Sequence, residues 1–193
     1  MTALMIVVMS YQATGNLLHE AAGILLLLLF ISHNVGNRKW YQNVPKGRYT
    51  WYRRTLLVVN ILTLIFMVIT MGTGIYLSQS FFGSFWGVRE AYLIRPVHVA
   101  AGAWGMILVS IHGGMHIRLP EKKSIALVIG IIVLTVLGIW AFVLLDMPAR
   151  ITFRDAGAYW RYPGILLFLA NAVVMAFFAG IASIAAKSLK KKR

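Results

Sequence analysis

The sequence predicts an all-α fold: an integral membrane helical bundle of about six transmembrane helices, forming a single domain over residues 1–193. Three observations carry that expectation. The chain is 60% hydrophobic and only 12% charged, with a mean hydropathy of +0.77, whereas soluble domains carry about 25% charged residues. Several uncharged runs are long enough for the ~20 residues a helix needs to cross a bilayer. The net charge of +14 is concentrated in short connections between those runs. That is the pattern of a positive-inside bias rather than of a nucleic-acid surface.

Taken in order, the first apolar segment covers residues 1–13 and opens abruptly on Met-Thr-Ala-Leu-Met. It reads as the latter part of a helix, with the true start expected upstream. The competing reading is a cleaved signal peptide, but no basic n-region precedes the run and no A-x-A-like site follows it. The remaining spans are expected at 17–37, 55–78, 96–117, 124–146 and 163–186.

Six spans in a prokaryotic inner membrane, with both termini cytoplasmic, put 38–54, 118–123 and 187–193 inside. Those segments hold Arg38, Lys39, Lys46, Arg48, Arg53, Arg54, Arg118, Lys122, Lys123, Lys187, Lys190, Lys191, Lys192 and Arg193, fourteen of the nineteen Lys and Arg. Arg89, Arg95, Arg150, Arg154 and Arg161 fall outside. The aromatic loop 79–95, with Phe81, Phe82, Phe85, Trp86 and Tyr92, suits the headgroup level of the outer surface. The chain has no cysteine, which excludes disulfides, thiolate metal sites, iron–sulfur clusters and the C-x-x-C-H attachment of c-type haem.

All five histidines, His19, His33, His98, His112 and His116, lie in the second and fourth spans. Ionisable side chains within a membrane are costly and mark functional sites. His19 and His33 are 14 residues apart, and so are His98 and His112. Fourteen steps of 100° fall about 40° short of four turns, so both members of a pair share a face. The rise between them is about 21 Å, which puts one near each side of the membrane core.

The second and fourth spans run in the same direction. His19 therefore lies level with His98 near the outer face, and His33 with His112 near the inner face. Two stacked histidine pairs on facing helices suit the axial ligation of two haems. Zinc or copper fits less well, because structural sites gather four ligands in one cluster and no Cys, Asp or Glu lies at the inner level. A proton relay would ordinarily use Asp or Glu, and only Glu20 and Asp146 sit at helix ends, both on the outer side. Glu20 reads as a solvated helix-end charge.

An offset of 79 residues relates His19-Glu-Ala-Ala-Gly23 to His98-Val-Ala-Ala-Gly102, and also His33 to His112. Gly23 and Gly102, one turn beyond their histidines, leave room for a flat macrocycle. The same offset pairs His116 with Asn37, which favours His112 as the inner ligand. His116 is the alternative inner ligand, five full turns from His98, or else a propionate or quinone neighbour. For the anionic propionates, Arg95 is the outer candidate, and Arg38, Lys39, Arg53 and Arg54 are the inner ones. Gly72, Gly74 and Gly138 are further candidates for close approach to a haem face.

The run His19-Glu-Ala-Ala-Gly-Ile-Leu with His33-Asn34 and Asn37-Arg38-Lys39-Trp40, then His98 and His112-Gly-Gly-Met-His116, resembles the flavinylation-associated transmembrane cytochromes, formerly a domain of unknown function. The lead-in Met9-Ser-Tyr-Gln-Ala-Thr-Gly15 shares the likeness. It extends over residues 5–118, and over the last two spans by hydropathy alone. The histidine arrangement is more broadly similar to cytochrome b of quinol-oxidising complexes. Ala21-Ala22, where an aromatic often follows His-Glu, and the short first span depart from the family pattern.

The resemblance implies two haems b, with His19, His33, His98 and His112 as iron ligands. It also implies electron exchange between the quinone pool and an extracytoplasmic protein carrying flavin. No residue receives a catalytic role of its own, because the redox chemistry belongs to the cofactor. Two other functions compete: a membrane haem reductase acting directly on ferric ion or oxygen, and a non-redox metal-transport or scaffold subunit.

Overall fold

The computed structural model describes residues 1–83, 91–120, 124–154 and 162–191. Among them the chain forms eight helices and no strand. They are α1 (Thr2–Met9), α2 (Tyr11–Gly36), α3 (Arg38–Asn43), α4 (Trp51–Leu77), α5 (Ala91–His116), α6 (Ile125–Leu144), α7 (Met147–Ile151) and α8 (Gly164–Lys191). Five of them, α2, α4, α5, α6 and α8, are long and apolar enough to cross a membrane.

The first expected span is the short α1. Its eight residues rise about 12 Å, and it is not among the five helices long enough to cross. It ends at Ser10, whose Oγ donates to the Ile6 carbonyl (2.8 Å). The chain then turns into α2, with which α1 packs. Gly15 takes φ 69°, ψ 179° inside α2, a conformation open to glycine at little cost. This kink precedes His19, so the interval from His19 to His33 is uninterrupted helix.

Helices α2, α4, α5, α6 and α8 overlap the other expected segments, with different ends. Thr50 and Ser124 cap α4 and α6 by accepting from the amides of Arg53 (3.3 Å) and Leu127 (3.1 Å), which satisfies otherwise orphaned first-turn donors. The fourth span, expected from Pro96, is helical from Ala91. Pro96 lies early in α5, where the missing N–H removes only the bond to the Tyr92 carbonyl. The short helices α3 and α7 are additions to the expected elements, and α7 follows a left-handed Asp146 (φ 50°). Phe85, Trp86, Arg89, Lys122, Lys123, Arg161, Lys192 and Arg193 lie outside the described residues.

α5 is the central helix, packed on α4, α8, α7 and α1. Small residues set its approach to α8: a Cβ on Gly114 would stand 2.3 Å from the Ala179 carbonyl oxygen. Ser183 Oγ hydrogen-bonds the Gly114 carbonyl (2.9 Å) across the same contact. Such close backbone approach is how helices pack where no hydrophobic force drives them together. Gly138, a candidate for a haem face, instead packs on α8, where its Cβ would meet Phe177 at 2.5 Å.

Methionines from five helices, Met5, Met67, Met106, Met147 and Met175, fill the core, a use suited to irregular gaps. The outward faces of α2, α4 and α6 expose Leu28, Val58, Ile132 and Val136, an apolar surface suited to a lipid bilayer.

Candidate functional site

The four paired histidines meet between α2 and α5. The His19 and His98 ring centres are 6.1 Å apart with planes at 77°, and those of His33 and His112 are 6.4 Å apart at 88°. An imidazole nitrogen sits about 2.0–2.1 Å from a first-row metal such as zinc, so two rings across one metal have centres roughly 6 Å apart. Both pairs have that separation. Meanwhile the Cα atoms of α2 and α5 nowhere come within 8 Å of each other. The histidine side chains face each other across a gap that the two backbones do not close.

Three of the four rings are oriented by an acceptor on Nδ1. His19 Nδ1 donates to the Val8 carbonyl (2.9 Å) and His98 Nδ1 to the Thr70 carbonyl (3.0 Å). Thr73 Oγ1 lies 3.0 Å from the same nitrogen, while its own hydroxyl donates to the Ile69 carbonyl (2.7 Å). His112 Nδ1 donates to Asn60 Oδ1 (2.8 Å). A carbonyl oxygen can only accept, so Nδ1 carries the hydrogen and Nε2 keeps its lone pair. Metal-ligating histidines are held in this way.

The His19–His98 pair borders a cavity of about 270 Å³. Gly23, Gly102 and Arg95, expected at this site, all line it. A Cβ on Gly23 would meet nothing within 4 Å, whereas one on Gly102 would touch Met9 Sδ (3.7 Å) and Thr70 Cγ2 (3.8 Å). Gly74 also lines the cavity, and a Cβ there would stand 3.1 Å from His98 Cε1. It thus admits the His98 ring to the α4 backbone. Gly72 is exposed, with open space beside it.

Several contributors are not evident from the sequence pattern. Arg150, expected among the outer-loop charges, is buried on α7 and lines the same cavity. Tyr11 sets its ring edge-on to His19 at 5.1 Å. Asn60 is a polar residue in an apolar span, and that contrast is the signal by which it could have been found; Thr70 acts through its backbone carbonyl. Glu20 is not a solvated end charge: it accepts from Ser78 Oγ (2.6 Å), Asn16 Nδ2 (2.7 Å) and the amides of Gln79 (2.9 Å) and Ser80 (3.0 Å). It ties α2 to the turn that ends α4.

At the other pair the ring facing His33 is that of His112. His116, one turn on, lies beside His112 with ring centres 5.1 Å apart, and is exposed. Arg53, an expected propionate partner, is held by the carbonyls of Asn43 (2.8 Å) and Arg48 (3.2 Å) and lies over Tyr49. Arg54 lies over Trp51 (5.2 Å), while Arg38 and Lys39 are exposed on α3. A smaller cavity, about 200 Å³, lies between Trp40, Val44, Arg53 and Leu56.

Comparison with protein-family models, with curated proteins and with solved structures gives no match. What the fold and site define is a class: a helical membrane protein with two opposed imidazole pairs at two depths.

Proposed function

We propose that the chain is a di-haem b-type membrane cytochrome that passes electrons between the quinone pool and an extracytoplasmic redox protein. One observation carries this reading. Two imidazole pairs stand 6.1 and 6.4 Å apart between helices whose backbones stay separated. Two imidazoles held at that separation, with open space between the helices, would suit a haem bound between them. A zinc site would instead gather four donors in one cluster, whereas these four histidines stand as two pairs.

The residues suit such a group. His19 and His98 would hold the outer haem, and His33 and His112 the inner one. Gly23 leaves space beside the outer site, and Arg95 and Arg150 would face anionic propionates at its edge. When bound, haem supplies one-electron iron chemistry whose potential the protein tunes through ligation and burial. The chain's own contribution would be to fix Nε2 of His19, His98 and His112, to exclude water with Met9 and Met67, and to separate the two sites by about 21 Å along the helices. Electrons would thereby move across the bilayer. The flavin-carrying nature of the partner follows from the family resemblance.

The test is a reduced-minus-oxidised spectrum with haem quantification on the purified chain and on His19→Ala, His33→Ala, His98→Ala, His112→Ala and His116→Ala. Two haems b per chain are expected, with one disturbed by each of the first four substitutions. A wild-type protein with no Soret band would point to a scaffold or metal-transport subunit. Loss of a haem in His116→Ala with His112→Ala intact would exchange the inner ligand. Partner-free turnover with ferric ion or oxygen would favour a direct reductase.

A further inference from the structure

The two histidine pairs are not equivalent. His19, His98 and His112 are half-buried, and each is anchored at Nδ1 by a protein acceptor at 2.8–3.0 Å. His33 is exposed, and none of the described residues hydrogen-bonds its ring. Its surroundings are correspondingly bare. A Cβ on Gly36 or on Gly113 would meet nothing within 4 Å, and both glycines are exposed. At the outer level, by contrast, Gly74 lies directly against His98, and Tyr11 lies edge-on to His19.

Both differences act in one direction. A hydrogen bond from Nδ1 raises the basicity of Nε2 and fixes the ring, and losing one typically costs 10–100-fold in metal affinity. An unanchored ring is a weaker donor and must give up rotational freedom each time it binds. An exposed ring can also swing away without displacing packed neighbours. His112, on the opposite side of the same site, keeps its Asn60 bond and would hold the metal meanwhile.

We propose that His33 is the exchangeable ligand of the inner site, so that the inner iron, and not the outer one, accepts a small neutral exogenous ligand in its place. This rests on the haem reading given above and assigns the inner site a second, ligand-binding capacity.

The probe is carbon monoxide, added to the dithionite-reduced, purified full chain after its haem has been quantified. The expected result is a carbon monoxide spectrum from about half of the haem in the wild type. The response should be faster in His33→Ala and absent in the double variant His33→Ala/His112→Ala, which keeps only the outer haem. A fully haem-loaded wild type that binds no carbon monoxide would overturn the proposal. So would a double variant that still binds it, since the open site would then be the outer one. A wild type without haem fails the parent reading instead, and haem quantification tells the two failures apart. If His33→Ala does not load, the wild type and the double variant still decide.

Discussion

Gly74 of α4 leaves the room that the His98 ring of α5 occupies: a Cβ on Gly74 would stand 3.1 Å from His98 Cε1. The missing side chain is what lets the ring reach the Thr70 carbonyl on the same helix (3.0 Å). One glycine therefore sets both the position and the tautomer of an outer-site imidazole. Gly74→Val should displace the ring and break the Nδ1 bond, weakening outer-site haem retention by about 10–100-fold. Titration of apo-protein with haem, beside an unchanged inner site, checks it. Unaltered retention would mean that His98 is not held through α4.

The inner site has its own orienting group in Asn60, whose Oδ1 accepts from His112 Nδ1 at 2.8 Å. Asn60→Leu keeps a similar volume but removes the acceptor. Inner-site haem affinity should fall by about 10–100-fold while helix content stays the same. Asn60→Gln, which restores an amide acceptor, should recover part of the loss. Equal behaviour of Leu and Gln would reduce Asn60 to a packing residue.

These two residues also mark the boundary of what the sequence makes legible. Pair spacing is a matter of helical period, so His19, His33, His98 and His112 can be matched by level and face from the amino-acid order alone. Of their supports only Asn60 carries a mark in the sequence, as a polar residue in an apolar span. Thr70 acts through a backbone carbonyl, which no side-chain pattern marks, and the role of Gly74 depends on how closely α5 approaches α4. Arg150 sits at an expected membrane boundary, where a cation is ordinarily a snorkelling charge. Its burial follows from the left-handed turn at Asp146 that folds α7 back onto α5. The first expected segment, 1–13, is divided at Ser10, where α1 ends and the chain turns into α2, a break that composition does not mark.

Arg150 and Arg95 line the outer cavity from different helices. A cation beside a metal centre favours its reduced form, because reduction lowers the positive charge nearby. Arg150→Gln should therefore lower the outer-haem potential, by on the order of tens of millivolts, with little change at the inner haem. Arg150→Lys should lie between Gln and wild type, since it keeps the charge without the planar fork. Redox titration that resolves the two haems checks this. An upward shift on Arg150→Gln would place the guanidinium away from the metal.

Glu20 accepts from five donors, Asn16, Ser78 and the amides of Gln79, Ser80 and Phe81, at the junction of α2 and the turn after α4. Hydrogen bonds to a charged acceptor contribute about 1.5–3 kcal/mol each, less where water can replace the lost partner. Since Glu20 is half-buried, Glu20→Ala should destabilise the fold by about 1–3 kcal/mol, read as a lower thermal midpoint in detergent. Electron transfer rates in the surviving folded protein should hold. A proton-relay role would reverse this pattern, leaving stability intact and slowing turnover.

Orientation is testable without background because the chain has no cysteine. The cationic residues cluster at the α2–α4 connection and at the end of α8, and cytoplasmic loops carry such an excess. The α4–α5 connection beyond Leu77 should then face the opposite side, since α4 is long and apolar enough to cross. Arg48→Cys and Gln79→Cys, both at exposed positions, sample the two sides. A membrane-impermeant maleimide should label Gln79→Cys in intact spheroplasts and Arg48→Cys only after permeabilisation. The reverse pattern would turn the bundle over: His33 and His112 would lie at the outer face, and the electron partner would have to meet what is here the inner haem.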